Sequence, residues 1–565
     1  MVRKAIIVAL ALTGSALSGA AVAQTAAGSY LAARQAVVES DFRAAARYYA
    51  RSIMVDPSNP AILENATLAY ISLGQVDKAA SLARRLVFLG ATSQVANMAL
   101  LGDLMQRGEF DQLIDDMDNG LSIGDAVDPL IRAWAQIGAG RMSDALGTFD
   151  TLIEGSDVAS FALYHKALAL GSVGDFEGAA AILSGEVGGP LNLSRRGIVA
   201  YAEVLSQLER NDDAISLIDE AFAGDLDPKL ALLREALEAG ETVSYDTVRN
   251  ATDGAAEVFL VVANALTGET ADGFTLLYSR TAEYLRPDHV DAILLSAHLL
   301  ENLERYELAT ETYNRIPSDD PSFAAAELGR AEALRKSGKT EAAIEAMEQL
   351  ARLDPSNAAV HVTLGDTLRG LERYDEATMA YDDALDLFPE PERPQWLLFF
   401  ARGITHEREG RWDMAEADFR KALELNPGQP QVLNYLGYSF VEMETNLDEA
   451  LAMIEEAVAA EPNSGYIVDS LGWVQFRLGR YEEAVINLER AAELMAVDPI
   501  VNDHLGDAYW AVGRTIEAEF QWKRALSFEP EEEDAARIRR KLEIGLDAVL
   551  EEEGAEPIAF TENEG

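Results

Sequence analysis

The chain has 565 residues, with 96 Asp and Glu against 46 Lys and Arg, which gives a formal net charge of −50. This acidic excess argues against nucleic acids and anionic membrane surfaces as partners, because binding to both depends on Lys and Arg. The chain contains no cysteine, which excludes disulfides, zinc–thiolate sites, iron–sulfur clusters and cysteine nucleophiles. Its 48% of hydrophobic residues is typical of a folded protein.

The first 23 residues predict a cleavable secretory signal peptide. Arg3 and Lys4 precede an apolar run over residues 5–17, and the Ala-Val-Ala sequence at 21–23 has the small-residue pattern of a cleavage site. The apolar run is shorter than the roughly 20 residues that span a bilayer. We therefore expect an exported, periplasmic protein with no membrane span in its mature form. The sequence leaves open whether the protein instead reaches the external medium.

A unit of about 34 residues recurs along the rest of the chain. In the C-terminal half the same slot is filled, at separations of 34, 34, 38, 34, 35 and 34 residues, by Ala297, Ala331, Gly365, Gly403, Gly437, Gly472 and Gly506. In the N-terminal half the corresponding residues are Ala33, Thr67, Leu101, Ala133, Ala167 and Ala202. Apolar residues recur every three or four positions on two segments of each unit, which indicates a pair of amphipathic helices. The sequence predicts an all-α fold, an α-solenoid of stacked helical hairpins.

The repeats also predict the order of segments along the chain. An N-terminal block spans residues 24–223 and a C-terminal block spans residues 285–530. Residues 224–284 break the register and predict degenerate helical hairpins and a candidate hinge. Residues 531–550 predict a capping helix, and the acidic residues 551–565 predict a disordered tail. In the capping helix we expect inward-facing Leu542, Leu546, Val549 and Leu550 and outward-facing Arg537, Arg539, Arg540 and Lys541.

Motifs for catalysis are weak against this helical background. The Gly-Leu-Ser-Ile-Gly sequence at 120–124 matches a serine-hydrolase elbow, but it follows a predicted second helix rather than the strand that such an elbow requires. The six histidines form no His-x-x-x-His pair, and the chain has no phosphate-binding or dinucleotide-binding glycine pattern. We therefore expect no enzyme activity, no cofactor and no metal site.

Two segments connect the repeats to a known family. The Leu-Gly-Asp sequences at 364–366 and 505–507 are each followed by an alanine 12 residues and a proline 24 residues after the glycine. This pattern resembles the tetratricopeptide repeat, and residues 469–473 resemble the exported proteobacterial type. The resemblance implies stacked helix-turn-helix hairpins that form a superhelix, with the first helix of each hairpin lining a concave groove. It also implies a non-enzymatic scaffold or adaptor of the bacterial envelope. The absence of cysteine departs from the lipoprotein members.

The resemblance further implies which residues face a partner in this groove. They are Asn434, Tyr438, Asp469, Trp473, Phe476, Arg477, Asp503, Asp507 and Trp510. Aromatic residues mixed with Asp and Arg are typical of binding hot spots. The alternative is that Trp473 and Phe476 only fill the core between repeats, as aromatic residues at helical spacing usually do.

The composition of these positions favours an extended polypeptide partner with basic and apolar side chains. An envelope protease, an assembly factor or a cell-wall enzyme would provide such a partner. A different hypothesis is a protein that binds cell-wall fragments or small molecules, or an enzyme with an unrecognised pocket, in residues 224–284. The acidic excess is explained either by partner recognition or by adaptation to a salty habitat.

Overall fold

A computed structural model describes residues 27–155, 158–223, 226–555 and 558, and all regular structure in these residues is helical. The predicted signal peptide lies outside the described residues. The predicted all-α fold of stacked helical hairpins is confirmed. The chain divides into two compact units, of which the first ends at Ala346 and the second begins at Met347. The boundaries predicted at 223, 284 and 530 concern the register of the repeats and stay predictions.

The first unit contains the N-terminal repeats and the residues up to Ala346. Its helices are α1 (27–38), α2 (Phe42–Val55), α3 (Pro60–Ser72), α4 (Val76–Phe88), α5 (Gln94–Gln106), α6 (Phe110–Asp118), α7 (Asp128–Gly138), α8 (Met142–Gly155), α9 (Ala159–Ser172), α10 (Phe176–Leu183), α11 (Arg195–Gln207), α12 (Asn211–Phe222), α13 (Pro228–Glu238), α14 (Ala251–Leu266), α15 (Asp272–Leu285), α16 (Val290–Asn302), α17 (Tyr306–Tyr313) and α18 (Phe323–Lys336). Helix α19 (Thr340–Leu353) contains the division between the units.

The second unit contains the rest of the C-terminal repeats. Its helices are α20 (Ala358–Gly370), α21 (Tyr374–Asp386), α22 (Trp396–Arg408), α23 (Trp412–Leu425), α24 (Pro430–Glu442), α25 (Leu447–Ala460), α26 (Gly465–Arg477), α27 (Tyr481–Leu494), α28 (Pro499–Ala511), α29 (Thr515–Leu526), α30 (Glu532–Ile544) and α31 (Leu546–Glu552). A turn of 3₁₀ helix at Arg393–Gln395 precedes α22. The recurring small residues place α20, α22, α24, α26 and α28 as first helices of their hairpins.

The recurring small residue explains how the two helices of a hairpin approach each other. A Cβ atom added at Gly472 of α26 would lie 2.5 Å from the Leu488 Cγ of α27, and one added at Gly506 would lie 2.4 Å from the Trp522 ring. Both distances are shorter than real Cβ contacts, so a side chain at these positions would push the helices apart. The turn after α26 places Gly479 at φ +74°, where glycine ends a helix without strain.

Residues 226–285 do more than continue the stack of hairpins. Helices α14 and α15 pack against each other and then against α3, α5, α7 and α9, which are first helices of the N-terminal repeats. A Cβ atom at Gly254 of α14 would lie 2.2 Å from the Trp134 ring of α7. The Tyr284 hydroxyl of α15 donates to the Asp103 Oδ1 of α5 at 3.3 Å. The chain's own hairpin therefore occupies the face that these first helices present.

An extended segment leads the chain from α13 back to this position. The Val243 N–H donates to the Ser206 hydroxyl at 2.9 Å, and the Thr247 N–H donates to Glu203 Oε2 at 3.0 Å. The Gln207 side chain donates to the Val243 carbonyl at 2.6 Å. These three contacts with α11 replace the backbone partners that a helix would supply, so the segment crosses the repeats without a helix of its own.

The C-terminal cap differs from its prediction in one important respect. Gly545, at φ +82°, divides the predicted single helix into α30 and α31. The expectation that Lys541 faces outward is wrong, because this residue is only 1% exposed and its Nζ pairs with the Asp503 and Asp507 carboxylates of α28. Of the predicted disordered tail, residues 551 and 552 belong to α31 and Ile558 is buried. Residues 556–557 and 559–565 lie outside the described residues.

Candidate functional site

The structure brings the nine predicted groove residues onto three successive first helices. Helix α24 carries two of them, α26 carries four and α28 carries three. Two neighbouring cavities lie along these helices, and both are lined by Tyr438, Glu442 and Ile500. We call the two cavities together the C-terminal groove.

The larger cavity has a volume of about 450 Å³, and we call it the tyrosine cavity. Its aromatic lining is Trp412, Tyr435, Tyr438 and Tyr466. Its polar lining is Glu407, Arg408, Asn434, Ser439, Glu442, Asp469, Ser470 and Asp498. Four carboxylates and one guanidinium make this cavity acidic, and the rings give it apolar walls.

Two buried oxygens of the tyrosine cavity lack a hydrogen-bond partner. Asn434 is 8% exposed and Asp469 is 6% exposed, and Oδ1 of each is without a partner. The other oxygen of Asp469 contacts the His504 Nδ1 at 2.9 Å. A buried acceptor without a donor costs free energy, so a ligand that donates hydrogen bonds would relieve this cost.

The smaller cavity has a volume of about 320 Å³. Trp473, Arg477, Asp503, His504, Asp534 and Arg537 contribute to its lining. Its lining includes three basic or potentially basic groups, Arg477, His504 and Arg537, and three carboxylates, those of Glu442, Asp503 and Asp534. This cavity is therefore less acidic than the tyrosine cavity.

Trp473 packs in the core between helices and also lines the groove. Its ring stacks on His504 with 4.0 Å between centroids and on Phe476 with 4.9 Å. Its Nε1–H donates to Glu442 Oε1 at 2.9 Å. The ring is 6% exposed and still lines the smaller cavity. Phe476 lines neither cavity, so the packing alternative describes Phe476 better than it describes Trp473.

His504 links the two cavities electrostatically. Burial favours the neutral imidazole, but the Asp469 carboxylate in contact with it, helped by Asp503 and Asp507, raises the pKa of His504 above its usual value. His504 therefore stays protonated, and paired with the Asp469 carboxylate, to a higher pH than an isolated histidine would stay protonated. The pair fixes the position of the Asp469 carboxylate.

Asp503, Asp507 and Trp510 contact the chain's own C-terminal cap. The Lys541 Nζ of α30 lies 2.8 Å from Asp503 Oδ2 and 2.7 Å from Asp507 Oδ1. The Trp510 Nε1–H donates to the Asp547 Oδ2 of α31 at 2.9 Å. Of these three predicted groove residues, Asp503 alone also lines a cavity of the groove. The cap therefore closes one end of the C-terminal groove.

Several lining residues were missed by the sequence analysis. Glu442 lies one helical turn after Tyr438 on α24, and this i, i+4 spacing could have identified it. Tyr466 precedes the predicted positions of α26, and Glu407 belongs to the previous first helix. His504 is adjacent to Asp503 in sequence, but no sequence pattern shows that it contacts Asp469.

The first unit contains a separate buried polar cluster. Glu257 of α14 is fully buried and accepts hydrogen bonds from the Arg196 Nε at 2.7 Å, and the Arg196 Nη1 donates to Asp291 at 2.8 Å. The His289 Nε2 lies 3.0 Å from Glu257. Burial raises the pKa of Glu257, but Arg196 and His289 outweigh burial and hold it well below its usual value. The cluster ties α14 to α11 and α16.

A cavity of about 330 Å³ lies beside this cluster in the first unit. It is lined by Phe161, Tyr164, Leu193 and Val261 among others, and the buried Tyr164 hydroxyl has no hydrogen-bond partner. The Gly-Leu-Ser-Ile-Gly segment at 120–124 lies in the loop between α6 and α7. Within the described ranges, no group of three or more His, Cys, Asp and Glu side chains is placed to hold a metal ion.

The family follows from these paired helices and from comparison of the sequence with family models. A tetratricopeptide repeat model matches residues 30–94, 294–358, 328–390 and 444–499, and a second model of the same repeat matches residues 396–429. The chain is a tetratricopeptide repeat protein. The matched residues include α22, α23, α25, α26 and α27, whereas α24 and all of α28 after Pro499 lie outside the matched ranges.

Two curated relatives match part of this repeat protein. The TPR repeat-containing protein PA4667 of Pseudomonas aeruginosa is 25% identical over 201 residues, which cover 35% of this chain and 33% of the relative. The human protein O-mannosyl-transferase TMTC1 is 27% identical over 173 residues, which cover 31% of this chain and 20% of the relative. The chain thus spans a third or less of the length of these relatives.

Two solved structures align with the chain over different lengths. The Cut9–Hcn1 hetero-tetramer of APC/C aligns with a TM-score of 0.36 and 16% identity, covering 91% of this chain and 95% of that one. A tetratricopeptide repeat protein from Parabacteroides merdae aligns with a TM-score of 0.36 and 17% identity, covering 45% and 97%. In the described part of the repeat protein, no helix has both the length and the apolar character that crossing a bilayer requires.

Proposed function

We propose that this repeat protein is a non-enzymatic scaffold that binds an extended polypeptide in its C-terminal groove. One observation carries the proposal. The first helices α24, α26 and α28 leave two adjoining cavities open, whereas α14 and α15 occupy the face of the first helices in the N-terminal repeats. Stacked helical repeats offer such surfaces to long polypeptide segments.

The lining of the groove defines the chemistry of the expected partner. Glu407, Glu442, Asp469 and Asp498 surround aromatic rings in the tyrosine cavity. Basic side chains of a partner would meet these carboxylates, and its apolar side chains would pack on the rings. We therefore propose a partner segment that combines basic and apolar residues.

We further propose that the protein acts in the bacterial envelope. The support is the basic and apolar start of the sequence with its Ala-Val-Ala cleavage pattern at 21–23. An envelope protease, an assembly factor or a cell-wall enzyme would be the partner there. Mass spectrometry of the protein purified from its own cells tests this location, because cleavage would leave Gln24 as the first residue.

Capture of envelope proteins by purified residues 24–565 tests the proposed function. Trp473→Ala would open a void in the core, so Tyr438→Ala is a better variant, since its side chain lines both cavities of the groove without being fully buried. We expect this variant to reduce capture while its helical circular dichroism stays unchanged. Capture that is equal for the wild type and the Tyr438→Ala variant would exclude the C-terminal groove.

A second candidate function is supported by the apolar cavity beside α14. It is lined in part by Val261, Asn264 and Ala265, which fall in the 224–284 segment, and it would suit a small apolar ligand or part of a cell-wall fragment. Incubation with peptidoglycan fragments tests this candidate. A shift in melting temperature would support binding in the first unit, and turnover of the fragments would overturn the proposal that the protein is not an enzyme.

A further inference from the structure

We infer that the tyrosine cavity binds the guanidinium group of an arginine side chain of the partner. This inference rests on the proposed function and names the chemical group that the C-terminal groove recognises. The cavity volume of about 450 Å³ is within the range of small-ligand pockets, so it can hold one long side chain.

The first argument is the pair of unpartnered acceptors. Asn434 and Asp469 line the cavity, each is more than nine-tenths buried, and Oδ1 of each lacks a hydrogen-bond donor. A carboxylate oxygen can only accept hydrogen bonds, so the group that satisfies Asp469 must be a donor. A guanidinium carries five N–H donors and no acceptor, which suits two acceptors on neighbouring helices.

The second argument is the charge of the cavity. Glu407, Glu442 and Asp498 also line it, and Arg408 is its one basic lining residue. The carboxylates exceed the guanidinium in number, so the cavity attracts a cation and repels the C-terminal carboxylate of a peptide.

The third argument is the aromatic lining. Tyr435, Tyr438 and Tyr466 line the same cavity, and the Tyr435 hydroxyl already donates to Glu407 Oε2 at 3.2 Å. Burial, followed by the nearby Glu442 and Asp469 carboxylates, raises the pKa of Tyr438, so this ring stays neutral. Neutral tyrosine rings attract a cation through their π faces, and a planar guanidinium stacks on such rings better than a compact ammonium does.

The fourth argument is that neighbouring residues already hold two of the carboxylates. Asp469 is fixed by His504 at 2.9 Å, and Glu442 is fixed by the Trp473 Nε1–H at 2.9 Å. Because Trp473 also stacks on His504, the two carboxylates are held by one packed group. A site held in place before binding loses less entropy when a ligand arrives.

The test uses residues 24–565 and three peptides that differ at one position. The peptides are acetyl-Ala-Leu-X-Leu-Ala-amide with arginine, with lysine or with citrulline, which has the shape of arginine without its charge. Saturation-transfer NMR measures their affinities. We expect the arginine peptide to bind about tenfold or more tightly than the citrulline peptide, as for a hydrogen-bonded charge, and also more tightly than the lysine peptide.

The variants locate the effect in the tyrosine cavity. Asp469→Asn should reduce binding of the arginine peptide to the level of the citrulline peptide. Asn434→Leu should weaken it as well, and this variant leaves the contact between Asp469 and His504 intact if Asp469→Asn proves unstable. Glu482→Gln is the matched control, because it removes one exposed carboxylate from α27, and binding should not change.

Equal affinities for the arginine and citrulline peptides would overturn the inference, and so would equal affinities for arginine and lysine. Unchanged binding by both cavity variants would also overturn it. The proposed function fails in a different way, when the Tyr438→Ala variant captures envelope proteins as well as the wild type does. If this variant loses capture while arginine and citrulline peptides bind equally, the proposed function stands and the guanidinium site is wrong.

Discussion

Lys541 forms a buried ion pair with Asp507, with its Nζ 2.7 Å from Oδ1 and 2.8 Å from Oδ2 of that carboxylate. Asp507 also accepts the Trp522 Nε1–H at 2.9 Å, so the pair joins the cap to both helices of the last hairpin. Lys541 is 1% exposed. Burial raises the pKa of the neighbouring Asp503, Lys541 opposes this effect, and Asp507 adds to it.

We expect Lys541→Met to destabilise the last hairpin and its cap by about 3–5 kcal/mol, because it leaves the buried Asp507 and the part-buried Asp503 without the lysine that contacts both. Urea unfolding followed by tryptophan fluorescence measures this loss. Lys523→Met is the matched control, since the Lys523 side chain is 63% exposed and pairs with an exposed glutamate. A Lys541 variant as stable as this control would show that the cap does not depend on the ion pair.

The crossing of α26 and α27 gives a second prediction. We expect Gly472→Val to lower the free energy of unfolding by about 1–3 kcal/mol, because the new side chain would overlap Leu488. Gly370→Val is the control, since a Cβ atom there meets no atom within 4 Å and the residue has no positive φ. Circular dichroism melts compare the two. Equal melting temperatures would mean that the helices do not pack through this glycine.

The position of α14 on the N-terminal repeats gives a third prediction. Gly254→Ala should destabilise this packing by about 1–3 kcal/mol, because the added methyl group would overlap the Trp134 ring. Hydrogen exchange should then accelerate in α14 and α15. Gly273→Ala in α15 is the control, since nothing lies within 4 Å of its added Cβ. Unchanged exchange in the Gly254 variant would contradict the packing of α14 against α7.

A fourth prediction concerns pH and the buried His165. Burial lowers the pKa of His165 to about 4, with Glu257 opposing this effect. The unfolded chain takes up a proton near pH 6.5, so the unfolded state binds more protons between about pH 4 and 6.5. The contribution of His165 to stability is therefore present above pH 6.5 and is lost as the pH falls toward 4.

The matching variant is His165→Asn, which keeps an acceptor for the Trp134 Nε1–H that now donates to the His165 Nδ1 at 3.2 Å. We expect this variant to be less stable than the wild type at pH 7 but to lose less stability between pH 7 and 5. His298→Asn changes an exposed histidine of α16 and should leave the pH dependence as it is. Melting temperatures at several pH values measure both. Parallel wild-type and His165→Asn curves would be the contradictory result.

The repeat pattern was sufficient to predict the helical hairpins, because small residues at fixed spacing are a local requirement of helix crossing. It did not predict that α14 packs on α5 and α7, since Gly254 and Trp134 are 120 residues apart and nothing local links them. The inward position of Lys541 was missed for a related reason. A lysine in a cap is usually solvated, and only the carboxylates of α28 make its burial favourable.

In the C-terminal groove, too, the sequence predicted the positions of residues but not the contacts between helices. Asn434, Tyr438, Asp469 and Trp473 were predicted from repeat positions, and all four line its cavities. The contact between Asp469 and His504 depends on how α26 and α28 pack, which a repeat pattern does not specify. The unpartnered oxygen of Asp469 was therefore beyond what the sequence could predict.

Photocrosslinking at Tyr438 in living cells tests the central claim most directly. A photoreactive residue at this position should crosslink to a small number of specific proteins. The same residue at Phe520, which is 63% exposed on α29 and outside the groove, should not crosslink to them. If Phe520 crosslinks to the same proteins as Tyr438, or if Tyr438 crosslinks to none, the C-terminal groove is not where this repeat protein binds its partners.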